Sequence, residues 1–181
     1  ADTESDAECP TDPTRISACR SESHIAMAEE SSEEHRSIER RIVRLYNVLY
    51  DDQLTPEDIE FYELEEDRYE GEIDIPEIGL NVSQWREWST EKRVEVLIHE
   101  FAHTENYADD HHPDFWDRVV DLTEIAVSRK SAIEEAFQAT LDARALKTAI
   151  VDSIHEYVIE SDIDSVERRK RDVSEALGIS V

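Results

Sequence analysis

Lysine is nearly absent from this chain: only Lys92, Lys130, Lys147 and Lys170 occur in 181 residues. Lysine and arginine together number 19 against 46 acidic residues, a formal net charge of −27. A surface of that sign repels phosphate backbones and anionic headgroups, which argues against non-specific binding to nucleic acid or to an anionic membrane. Long apolar runs are missing too. No stretch reaches the length of a membrane span, and no apolar core of the signal-peptide kind is visible. Cysteine is limited to Cys9 and Cys19, both in a polar N-terminal segment. Two cysteines do not make a zinc site, and neither has a candidate base beside it; whether they pair as a disulfide stays open. There is no internal repeat.

What is present is acid, arginine and periodic apolar residues. High net charge with a mean hydropathy of −0.64 is one signature of disorder. Helical spacing of the apolar residues argues against that for most of the chain. The acidic, lysine-poor, arginine-keeping composition resembles that of proteins from salt-accumulating haloarchaea or their viruses, whose self-repulsion is screened by concentrated salt. A cytoplasmic place in such a cell, or one in a virus particle, is the corresponding expectation.

Residues 1–24 are acidic and polar, with Pro10 and Pro13, and read as a flexible arm. From Ile25 to Tyr50 the pattern turns helical, with Ile38, Ile42, Leu45, Tyr46 and Leu49 on one stripe. Thr55-Pro56-Glu57-Asp58 has the marks of a short helical turn. Residues 59–82 alternate in the manner of two or three short antiparallel strands, with Pro76 at a turn or edge. Ser89 or Thr90 caps a helix running to about Tyr107. Pro113 opens another, with Phe115, Trp116, Val119, Val120 and Leu122 on its buried side. One long helix is expected from Ser131 to Glu160, and a last one from Ser165 to Gly178. The run Arg168-Arg169-Lys170-Arg171 has acidic neighbours within a turn or two and reads as a salt-bridged face.

The chemistry is concentrated in Val94-Glu95-Val96-Leu97-Ile98-His99-Glu100-Phe101-Ala102-His103. His99 and His103 are one helical turn apart, so both imidazoles project from one face and can reach one metal ion. Glu100 adjoins the first ligand, where its carboxylate can act on water at the metal. Val94, Leu97, Ile98 and Phe101 back the helix with apolar surface. A catalytic zinc takes three protein ligands and leaves one position open. His111 is the first candidate for the third, with His112 as its competitor. Asp109 and Asp110 are weaker candidates, and Glu124, Glu134 or Glu135 would serve a His₂Glu site. The spacing is longer than in a His-x-x-Gly-x-x-His continuation and contains no glycine, which argues against that class. Tyr107, His112, Arg118, His155 and Tyr157 are oxyanion donors by type, and Asn81 lies near the strand region. Phe115 and Trp116 read as core residues.

Taken with Arg68-Tyr69, Ile78-Gly79-Leu80-Asn81 and His111-His112-Pro113-Asp114-Phe115-Trp116, the motif resembles the minimal zinc metallopeptidases of the SprT-like, WLM and YgjP-like type over residues 58–120. The resemblance implies an α+β, zincin-like fold. That fold pairs a small antiparallel sheet with the His-Glu-x-x-His helix; with the helical periodicity elsewhere, the chain is expected to be mostly helical, with long C-terminal helices. The domain would span residues 25–130, with the helices of 131–181 packed on it. The resemblance also implies Zn²⁺ held by His99, His103 and His111, Glu100 as general base, and polypeptide substrates added to the edge strand before the helix. The loop before His111 is longer than in YgjP-like members, and the helices after Ser131 match nothing in that family.

The competing expectation is a zincin-fold building block of a larger assembly, such as a halophilic virus particle. It would associate through the arm or the C-terminal helices and keep a structural or vestigial metal. A regulatory partner in which metal only braces the fold is a third. All share the salt-adapted surface. Thermal unfolding followed by circular dichroism should therefore shift to higher temperature as KCl rises from about 0.1 to 2 M. A midpoint that stays flat or falls would remove the self-repulsion argument.

Overall fold

A stripe of apolar residues on one helix needs a surface to cover it, and among the described residues seven helices and a small sheet cover one another. The structure is a computed structural model that describes residues 32–64, 71–74, 77–104, 113–157 and 163–180. The expected arm, residues 1–24, lies outside the described residues. Helix α1 (Glu33–Tyr50) buries Ile38, Ile42, Leu45 and Leu49, the stripe expected of it, with Tyr46 partly covered. It ends at Asp51, which takes a left-handed backbone (φ 53°). The Asp51 carboxylate is gripped by the Arg129 guanidinium at 2.7 and 3.1 Å, and that hydrogen bond holds its pKa below the usual range. A single 3-10 turn follows at Pro56–Asp58, closed by the Asp58 carboxylate accepting from the Thr55 amide and hydroxyl.

Strands β1 (Glu60–Glu63), β2 (Gly71–Asp74) and β3 (Glu77–Leu80) form one sheet in the order β1-β3-β2. The sheet is not purely antiparallel as expected. β2 pairs antiparallel with β3, whereas β1 runs parallel to β3. β2 lies beyond β3 instead of beside β1, so the returning strand β3 has the direction of β1. Alternation reveals strands but not their order, and burial explains the order. Ile78, Gly79 and Leu80 are buried and take the centre, while Glu60 and Glu63 of β1 are exposed and suit an edge. Phe61, Ile78 and Ile73 form a cross-strand row on the face turned to the helices.

Helix α2 (Val82–Glu87) was not signalled by periodicity, being too short to show it; Asn81 caps it, accepting from the Gln84 amide at 3.0 Å. Helix α3 (Thr90–His103) is capped by Ser89, whose hydroxyl accepts from the Lys92 amide. Arg93 donates from Nε to the Trp85 carbonyl and lies over that indole, its pKa drawn down by burial. Helix α4 (Pro113–Ser128) starts at Pro113 as expected and buries Phe115, Trp116, Val119 and Leu122; Val120 is only half-buried.

The long helix expected from Ser131 is instead two, α5 (Lys130–Phe137) and α6 (Ala143–Tyr157). Gln138 adopts the left-handed conformation (φ 53°) usual for glycine, and the amides of Gln138 and Ala139 close on the Glu135 and Glu134 carbonyls. Asp142 then accepts from the Arg144 and Ala145 amides and starts α6. Helix α7 (Ile163–Ala176) ends at Gly178 (φ 65°) with the same pair of closing hydrogen bonds. Its basic run is not the salt-bridged face expected: no ion pair among the described residues involves Arg168, Arg169, Lys170 or Arg171. No helix among the described residues is long and apolar enough to cross a membrane.

Residues 33–181 form one unit, and a single buried apolar cluster runs through it from Ile38 to Leu177. Helix α3 touches α1, α4, α6 and β2. Its Val94, Val96, Leu97, Ile98, Phe101 and Ala102 are fully buried. Leu97→Ala should therefore cost about 3 kcal/mol of unfolding free energy, within the usual 2–5 kcal/mol for such truncations. Urea denaturation measures it, and a loss below about 1 kcal/mol would contradict a central place for α3.

Candidate metal centre

Helix geometry brings the two motif histidines together as the sequence requires. The His99 and His103 Nε2 atoms lie 3.1 Å apart. A tetrahedral ion with two bonds of about 2.05 Å holds its nitrogens about 3.3 Å apart, so the pair fits a shared metal with little movement. His99 is almost wholly buried and His103 half-buried. One ring is thus anchored in the core and the other stands nearer solvent.

The rings are walled by the first turn of α4. Phe115 stacks on His103 at 4.5 Å between centroids and meets His99 edge-on at 5.0 Å. Trp116 meets His99 at 5.9 Å and Phe115 at 5.1 Å. Both aromatics are buried, in keeping with their reading as core, and they also restrict how far either imidazole can rotate. Behind them, Tyr46 and Tyr50 stack on each other and pack edge-on to Phe101. The Tyr50 hydroxyl and the Thr104 hydroxyl both donate to the Phe101 carbonyl, at 3.3 and 2.7 Å, where the helix ends.

Glu100 is half-buried on the side of α3 that meets β2. A Cβ placed on Gly71 would lie 3.4 Å from Glu100 Cγ and 3.5 Å from Leu80 Cδ1. The glycine thus lets the edge strand run directly past the candidate base. That proximity was not read from the sequence, where Gly71 only interrupts an alternating run.

The described residues supply two donors of the expected set and no group of three. His111, His112 and Tyr107 lie outside the described residues, as do Asp109 and Asp110. Glu124 is not brought to the pair: it is half-exposed and bound to Lys147 of α6 at 2.8 Å. Glu134 is occupied in the α5–α6 junction, accepting from the Leu141 amide, and Glu135 is exposed. Asn81 is buried and uses its side chain as the cap of α2. Arg118 lies over the Tyr50 ring, 5.4 Å from its centroid. The side chains of His155 and Tyr157 and the whole of His24 are outside the described set. His35, which sequence alone suggests is a plain surface residue, packs on Phe61 and meets Glu63 at 3.4 Å. Among the described residues Glu95 is a fully buried carboxylate one turn before His99, and sequence reasoning did not single it out. Compared with known protein families, curated proteins and solved structures, the chain matches none.

The Gly71 contact gives a graded test. Gly71→Ala should fold with a melting temperature within a few degrees of the parent, since its new contacts are ordinary van der Waals distances. Gly71→Val must push its methyls toward Glu100 and Leu80 and should lose roughly 1–3 kcal/mol. Equal stability of both variants would show that the strand does not crowd Glu100.

Proposed function

We propose that the protein is a zinc-dependent metallopeptidase of the minimal zincin type, acting on polypeptide chains. The observation that carries the reading is the 3.1 Å convergence of His99 and His103 beside a strand that passes Glu100. His99 and His103 would hold the ion through Nε2, and the chemistry of the set calls for a third imidazole or carboxylate. His111 is the proposed third ligand, with His112 as the alternative. These positions directly precede Pro113, the first residue of the helix whose Phe115 lies against His103.

When bound, zinc supplies Lewis acidity, lowering the pKa of water to about 7 and polarising a carbonyl. Glu100 then takes the proton of the attacking water and passes it to the leaving amine. Its half-buried place beside Gly71 keeps it in reach of a chain aligned with β2. The last strand before the helix, β3, is central and not the edge expected; β2 is at one edge of the sheet among the described residues, so its outer backbone groups can pair with an extended substrate. Phe115 and Trp116 hold the imidazole rings in orientation and keep water from their inner faces.

The test is Glu100→Gln. The parent should bind about one equivalent of zinc and cleave an unfolded polypeptide in molar KCl. The variant should keep the metal and lose cleavage by about 10²–10⁴-fold, the usual contribution of a general base. A parent that takes up no zinc sinks the proposal. A parent that binds zinc yet cleaves no unfolded chain at any salt concentration leaves a structural metal site in an assembly protein instead.

A further inference from the structure

Helix α7 borders a surface cavity of about 370 Å³, lined among the described residues by Glu167, Lys170, Arg171, Ser174, Glu175 and Ile179. The first five recur at i, i+3, i+4, i+7 and i+8, which is one face of the helix, and Ile179 lies just past its Gly178 stop. The volume falls within the range of small-molecule sites, which begins near roughly 300 Å³.

Ser174 sets this wall apart from an ordinary helix surface. Three hydroxyl-bearing residues are buried among the described ones: Thr123, Ser153 and Ser174. Thr123 and Ser153 donate to carbonyls of their own helices, those of Val119 and Ile150, at 2.7 and 2.8 Å. The Ser174 hydroxyl has no hydrogen-bond partner. Buried polar groups are nearly always paired, so this one calls for an explanation. The charges around it are unmatched as well. Among the described residues Lys170, Arg171 and Glu175 enter no ion pair, although Arg171 and Glu175 are spaced i to i+4. Base before acid is the weaker order for such a pair.

The lining carries both signs. A simple anion here meets two carboxylates, and a simple cation meets two bases. A molecule bearing both charges finds an opposite for each. We propose that this face of α7 binds a small zwitterion of the α-amino acid class, a site independent of the zinc reading. Lys170 and Arg171 hold its carboxylate, the guanidinium through two parallel N–H groups. Glu175, one turn further on, takes its ammonium. Ser174 turns its hydroxyl to another staggered position and gains the partner it lacks. Ile179 covers an apolar side chain.

The test is titration of the intact chain in molar KCl with leucine, followed by ¹⁵N–¹H correlation of the backbone amides. Leucine at roughly millimolar concentration should shift the Ser174 and Glu175 amides to saturation. Acetate and ethylammonium, each with one of the two charges, should bind about tenfold more weakly or worse. Arg171→Gln, at an exposed position, should weaken leucine by about the same factor. Ser174→Ala breaks no hydrogen bond of the free protein, so its melting temperature should hold or rise while leucine binding weakens. A titration that moves no α7 amide overturns the proposal. Acetate binding as well as leucine overturns it too, leaving an anion site only, and so does unchanged leucine affinity in Arg171→Gln. If Ser174→Ala fails to fold, the hydroxyl is structural and its part in the proposal falls, while the ligand comparison and Arg171→Gln still judge the site.

Discussion

Helix α3 cannot face water on most of its circumference, and the other elements are arranged to meet that constraint. Six of its apolar side chains are fully buried, and they are spread around the helix instead of forming one narrow stripe. Covering them takes α1 and α4, α6 and the edge strand β2. A helix enclosed in this way is fixed in rotation and translation by close packing. Any polar residue it carries is therefore held at a defined place in the core. Glu95 and His99 are such residues, and Glu100 and His103 stand where the enclosure opens.

Aromatic packing extends that rigidity to the imidazoles. Phe115 touches both histidine rings and Trp116 touches one, so the first turn of α4 sets the orientation of two side chains on α3. Edge-to-face and stacked arrangements of this kind are preferred by about 0.5–1.5 kcal/mol beyond the area they bury, so they favour one ring orientation. Tyr46 and Tyr50 secure Phe101 from the other side, and the Tyr50 hydroxyl also reaches the carbonyl at the helix end. The result is a pair of nitrogens with a spacing suited to one ion, held by residues that bear no charge. Preorganisation of this sort would reduce the rearrangement that binding a shared ion requires.

Much of this was legible because it rests on local periodicity. The α1 stripe, the Thr55–Asp58 turn, the Ser89 cap, the Pro113 start and the Gly178 stop each depend on residues close in sequence. The failures have a common origin in distance along the chain or in unusual backbone. Strand order depends on β3 outcompeting β1 for the centre, which alternation does not encode. The α5–α6 break depends on Gln138 adopting a left-handed backbone without glycine, and on Asp142 recapturing free amides. On α7 Glu167, Lys170, Arg171 and Glu175 share one face, yet no ion pair among the described residues closes between them, so nearness on a helix does not by itself make a salt bridge. For the site, His99 and His103 follow from a four-residue spacing. Gly71 beside Glu100 is a tertiary contact, and nothing local reveals it.

The charge of the chain sharpens the contrast between exposed and interior ion pairs. Several ion pairs that tie elements together lie near solvent: Arg86 with Glu34, Arg129 with Asp51, and Lys147 with Glu124. Concentrated salt relieves the self-repulsion of a −27 surface, but the same screening weakens those exposed pairs. In the conditions the composition favours, the fold is thus left to apolar burial and to whatever electrostatics the core shields from ions. Glu95 with Lys92 is shielded on the carboxylate side, since no Glu95 surface reaches solvent. Salt therefore screens this pair, one turn before His99, less than it screens the three exposed ones.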